Sequence, residues 1–132
     1  MAARGEGGVL LDTHVLLWVL TDDAALGPRA RARVEGPGGV AYSAASVWEL
    51  AIKQSLGKLR LPDGFLDALE RSRIPELPVS AHHALGIAGV ELPHRDPFDR
   101  LLLAQAMSEG MTLLTADAQL LSSGGSVSDA RR

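Results

Sequence analysis

The chain contains no cysteine. This excludes disulfides, thiolate zinc sites and cysteine nucleophiles, and it accords with a reducing, cytoplasmic setting. Aromatic residues are scarce, at 4% of the chain, so the core must be built from Leu, Val, Ile and Ala. No apolar run approaches the roughly 18 residues of a membrane span, and no apolar signal region precedes Asp12. Nor is there an excess of positive charge: 13 Lys and Arg stand against 16 Asp and Glu, a net charge of −3. Nucleic-acid binders are usually basic, so the overall sign argues against that class. The argument weakens if several acids belong to one cation site, because a bound divalent ion makes such a face attractive to phosphate.

What the 132 residues do contain is an alternation of short apolar runs with helical patterns. Residues 9–11, 40–42, 76–79 and 111–114 read as strands. Residues 14–20, 28–34, 43–56, 64–73, 80–87, 97–109 and 118–121 read as helices, and 59–61 as a brief extended piece. Residues 1–8 read as a frayed start, 92–96 as a loop, and 122–132 as a loop that either frays or adds an edge strand without a convincing apolar pattern. Residues 1–132 thus read as one α/β domain with a central parallel sheet flanked by helices. In such sheets ligands bind beyond the carboxyl ends of the strands.

Four acids fall at or near that edge. Asp12 follows the first strand, Glu49 lies in the helix after the second, and Asp117 follows the 111–114 strand. Asp99 opens the helix leading into that strand. Each has a plain structural alternative. Asp12 and Asp117 fit helix caps, Ser46 and Glu49 resemble a capping box, and Asp99 suits a helix first turn. Asp96 before Pro97 is best read as a cap. Together, four carboxylates at one edge exceed what capping needs and point to a hard-cation site of the kind that cuts phosphodiesters. Thr13, Ser43 and Thr115 stand where hydroxyls orient carboxylates or hold metal-bound water, with ordinary capping as the alternative.

Other candidates carry less. His82 and His83 are adjacent on a helix and point in different directions; His14 and His94 read as packed, solvated or loop residues. Trp18 and Trp48 fall in apolar helical stretches and read as core or interface. Lys53, Arg95 and Arg100 lie near the acids and either reach phosphate or are solvated surface. Val15, Leu16, Trp18, Val19, Val47, Leu50 and Ala51 are either all core or partly line a groove for a partner segment.

The segments Leu10-Leu11-Asp12-Thr13-His14, Ser43 to Leu50 with its Trp48-Glu49, His94-Arg95-Asp96-Pro97-Phe98-Asp99-Arg100, and Leu113-Leu114-Thr115-Ala116-Asp117 together resemble the PIN domain, most closely the VapC-type toxins of toxin–antitoxin pairs. The resemblance spans residues 9–121 and rests on four motifs in order. It implies a three-layer Rossmann-like fold and a homodimer neutralised by a VapB-type antitoxin. It also implies an Mg²⁺- or Mn²⁺-dependent endoribonuclease, in which metal-activated water hydrolyses RNA to 5′-phosphate and 3′-hydroxyl products. Carried over, Asp12, Glu49, Asp99 and Asp117 are the acidic quartet. Asp117 occupies the family's most variable position, and the polar C-terminus departs from the pattern. The rival readings are a PIN-fold binding module with a weak or inactive site, and a nuclease acting on DNA. A phosphoacceptor receiver domain needs paired acids after the first strand and a late strand-end Lys, whereas here Asp22-Asp23 follow the first helix and no Lys occurs after Lys58.

Overall fold

The computed structural model describes residues 7–91 and 96–132. Five strands, β1 (Val9–Leu11), β2 (Val40–Ser43), β3 (Glu76–Leu77), β4 (Thr112–Thr115) and β5 (Val127–Asp129), form one parallel sheet in the order β3-β2-β1-β4-β5. β1 is buried along its whole length, as an apolar run covered on both faces must be. Alternation along the strands divides the core in two. Leu10, Ala41 and Leu113 pack on one face with Val90, Leu102, Leu103 and Leu120. Val9, Leu11, Tyr42 and Leu114 pack on the other with Val15, Leu16, Leu26, Ala30 and Leu69.

The second face is covered by α1 (Thr13–Thr21), α2 (Pro28–Glu35) and α4 (Phe65–Arg71). The first is covered by α5 (Ala81–Leu85) with the 3-10 turn Gly86–Gly89, by α6 (Pro97–Glu109) and by α7 (Ala118–Leu121). The helix α3 (Ala44–Ser55) touches both α1 and α6. Local chemistry sets the boundaries. Ser43 caps α3, Asp96 caps α6 ahead of Pro97, and Gly110 closes α6 at φ 68°, a conformation that favours glycine. No helix among the described residues is long and apolar enough to cross a membrane.

Of the two C-terminal alternatives, the structure takes the edge strand. Residues 127–129 are a parallel strand on β4, despite the absence of an apolar pattern. β3 stops at Leu77, short of the expected residue 79, because Pro78 has no N–H for the ladder. The helix expected over 80–87 ends at Leu85 and tightens into the 3-10 turn, and residues 59–61 join no strand. The expected fraying of 1–8 and loop over 92–96 fall mainly outside the described residues.

Candidate active site

β1 lies between β2 and β4, and the chain leaves β1 for β2 on one side before crossing back to β4 on the other. A crevice opens at such a reversal, beyond the strands' carboxyl ends. Here it is a cleft of about 370 Å³, lined by Asp12, Glu49, Asp96, Asp99 and Asp117, with Thr13, His14, Trp18, Lys53, Ala116 and Arg131.

Asp12 sits at its floor. Its amide donates to Leu114 O (3.0 Å), which pins it between β1 and β4. Oδ1 accepts from the Thr13 amide (2.7 Å) and Oδ2 from the Thr115 hydroxyl (2.6 Å). Burial pushes its carboxyl above the ordinary value of 3.8; these two hydrogen bonds pull it down, nearby Glu49 pushes it up and His14 pulls it down. Glu49 is equally buried. The Thr13 hydroxyl donates to its Oε1 (2.7 Å) and lies 3.0 Å from Ser46 Oγ, while Lys53 Nζ pairs with its Oε2 (2.9 Å). Asp117 caps α7, with Oδ1 accepting from Gln119 and Leu120 amides. Asp96 Oδ1 accepts from the Phe98 and Asp99 amides, so capping is its observed role. Trp48 meets Phe98 edge-on with ring centroids 5.4 Å apart. That contact ties α3 to α6 beside Glu49 and Asp99, the residues next in sequence.

The four sequence-identified acids therefore share one cleft. Thr13 and Thr115 orient two of them, as expected. Ser43 does not: its hydroxyl donates to Gln105 Oε1 (2.6 Å) and accepts from the Ala45 amide, away from the carboxylates. Ser46, one helical turn before Glu49, instead bonds the Thr13 hydroxyl that holds Glu49. Lys53 lines the cleft, whereas Arg100 does not; its Nη1 donates to Val90 O (3.0 Å). Arg95 and His94 lie outside the described residues. His83 is buried and structural, accepting from the Ser80 amide and bonded to Glu109. Trp48 is 61% exposed and so is not core. Of the residues between α1 and α3, Val15, Leu16 and Leu50 are core, whereas Trp18, Val19 and Val47 are only partly buried and Ala51 is exposed. Val19 instead faces a larger cleft of about 680 Å³ between α1, α2 and α4, rimmed by Arg31, Arg71 and Arg73. Sequence reasoning missed Arg131, for which no local pattern gave a signal. Ser46 was visible through its i, i+3 spacing to Glu49, which places both on one helix face.

The donor set is carboxylate oxygen, apart from the His14 imidazole, and suits a hard divalent cation. Among the described residues no three His, Asp or Glu side chains converge as a ready-made ligand set.

The sequence pattern of the PIN domain matches residues 9–123. The chain belongs to the PIN domain family. It is 31% identical over 117 residues to Ribonuclease VapC22 of Mycobacterium tuberculosis, an alignment covering 86% of this chain and 90% of that protein. Among solved structures, a toxin–antitoxin complex from Klebsiella pneumoniae matches with a TM-score of 0.65 and 17% identity, over 93% of this chain and 98% of that one. VapBC2 from Rickettsia felis, bound to a DNA fragment from its promoter, matches with a TM-score of 0.69 and 16% identity, over 92% and 97%. These PIN-fold likenesses agree with the parallel sheet and its flanking helices.

Proposed function

We propose that this PIN domain is a divalent-metal-dependent endoribonuclease, the toxin of a toxin–antitoxin pair, acting in the cytoplasm as a homodimer. The observation that carries the reading is the gathering of Asp12, Glu49, Asp99 and Asp117 in one cleft at the sheet's carboxyl edge. The relative named as a ribonuclease supports RNA as the substrate. Asp12 and Asp99 would hold Mg²⁺ or Mn²⁺ directly, with Glu49 and Asp117 acting through water or helping to hold a second ion. When bound, the ion supplies Lewis-acid polarisation of the phosphate and activation of water.

The chain's own residues do the rest. Thr13 and Thr115 fix the Asp12 carboxylate in one orientation. Lys53 and the Thr13 hydroxyl hold both oxygens of Glu49. The expected products carry a 5′-phosphate and a 3′-hydroxyl. The larger cleft is lined by Val19, Leu26, Val34 and Ile74 together with three arginines and the acids Asp22 and Glu35; Arg31 pairs with Asp22 and Arg71 with Asp67, and the apolar lining suits the apolar anchors of a VapB-type antitoxin segment.

The test is cleavage of a mixed cellular RNA pool by wild type and Asp99→Asn, each with Mg²⁺, with Mn²⁺ and with chelator. Metal-dependent cutting by wild type alone is expected. Equal cutting by both chains would sink the site assignment. A folded, antitoxin-free wild type that cuts DNA instead, or nothing, would overturn the substrate or the activity.

A further inference from the structure

Two cations, Lys53 and Arg131, line a cleft otherwise dominated by carboxylates. Lys53 is engaged with Glu49. Arg131 has no carboxylate partner for its guanidinium among the described residues. Its Nη1 donates to Ala116 O (3.0 Å), and the guanidinium carbon lies 5.7 Å from the centroid of the Trp18 ring, within the range of a cation–π contact. An arginine beside four or five acids would ordinarily pair with one of them. This one is held beside them with most of its donors uncommitted.

Its placement is built by the surrounding backbone. The Ala130 amide donates to Thr115 O (2.8 Å), and the Gly27 amide donates to Ala130 O (2.9 Å). The Arg29 amide donates to Arg132 O (2.8 Å), and the Arg131 amide to Asp129 Oδ1 (2.9 Å). The free amides of the first turn of α2 thus clamp the chain on both sides of Arg131. Gly27 is required for the approach, because a Cβ there would overlap the backbone of Arg131 and Arg132. The side chain is exposed while its backbone is fixed, so little ordering remains to be done when a ligand arrives.

We propose that Arg131 is a substrate-binding residue that grips a backbone phosphate of a single-stranded nucleic acid next to the phosphate being cut. The inference rests on the nuclease reading of this cleft. A polyanion entering an acidic cleft needs a cation that the cleft's own acids have not neutralised. A planar guanidinium over the Trp18 ring, with only Nη1 committed, still has N–H groups for two phosphate oxygens.

The test is binding of a fluorescein-labelled single-stranded RNA to the full chain carrying Asp99→Asn in Mg²⁺, followed by anisotropy across a KCl series. Adding Arg131→Gln should weaken binding several-fold and lower the slope of log affinity against log salt by about 0.7, the value for one phosphate contact on a single strand. Arg131→Lys keeps the charge and should keep the slope. Arg132→Gln, at an exposed neighbour outside the cleft, should change neither. In the cleavage-competent chain, Arg131→Gln should raise KM and leave kcat close to wild type. An unchanged slope and KM in Arg131→Gln, or a chain that binds no RNA at any salt, overturns the inference. A chain that shows the slope change but never cuts RNA would overturn the nuclease reading and leave Arg131 as a nucleic-acid contact.

Discussion

An ionised Asp12 destabilises the fold that holds it, because burial outweighs the two hydrogen bonds that favour its charge. Its folded-state pKa lies above its unfolded value, so the folded chain binds the proton more tightly. The contribution of Asp12 to stability is therefore full below the ordinary value of 3.8 and is lost as pH rises through the folded pKa. Asp12→Asn should accordingly unfold at higher urea than wild type at neutral pH, an advantage that disappears toward pH 3.8, while cleavage is abolished. The amide can accept from the Thr13 N–H and donate to Thr115 Oγ1, which already accepts from the Asp117 amide. Lower stability of the variant at neutral pH would show that the hydrogen bonds, not burial, dominate. Mg²⁺ at about 100 times its Kd should stabilise wild type by about 2.7 kcal/mol and Asp12→Asn hardly at all, as read from melting curves with and without chelator. At this scale Asp12, Asp99, Asp117, Thr13 and Thr115 were legible because each stands at a strand end or helix start, and Glu49 because it lies within two turns of the start of α3. Ser43 misled because a strand-end hydroxyl faces whichever neighbour the fold supplies, here Gln105.

Elements were legible where their signals are local. Caps and Gly110 marked α3 and α6, and β1 announced itself by its apolar run. β5 was not, because Val127-Ser128-Asp129 becomes a strand only through partners distant in sequence: β4 on one side and, just beyond it, the first turn of α2. Arg131 inherits its position from that docking, and for the same reason no pattern around it could mark it. Gly27→Ala tests the dependence. The new methyl meets backbone rather than a yielding side chain, so the tail must move. We expect a loss of about 1–3 kcal/mol in urea unfolding, together with a rise in KM like that of Arg131→Gln. A variant with wild-type stability and wild-type KM would mean that the clamp does not position the tail.

At the scale of the whole molecule, strand–helix alternation gave the α/β class and the edge that bears the site. It could not give the strand order, because pairing β1 with both β2 and β4 is decided by long-range packing. Nor could it show which apolar residues stay uncovered. Trp48 (61%), Leu85 (79%) and Met107 (56%) are exposed. Trp48 also joins Val79, Leu101 and the α3 alanines Ala44 and Ala45 around a shallow, almost wholly apolar pocket. These residues belong to α3, α5, α6 and the segment before α5, and α6 touches both other helices. The apolar pocket around Trp48, with exposed Leu85 and Met107 on the neighbouring helices, suits a surface covered by a second copy. Wild type should sediment as a dimer at micromolar concentration, and Leu85→Glu and Trp48→Glu should each shift it to monomer. Leu85 lies outside the acidic cleft, so its variant should keep the Asp12 cleft intact and still bind RNA. Trp48→Glu also removes the contact with Phe98 beside Asp99, so it should lose cleavage beyond what monomerisation alone causes. A monomeric wild type, or a Leu85→Glu dimer as tight as wild type, would assign this apolar face to another partner.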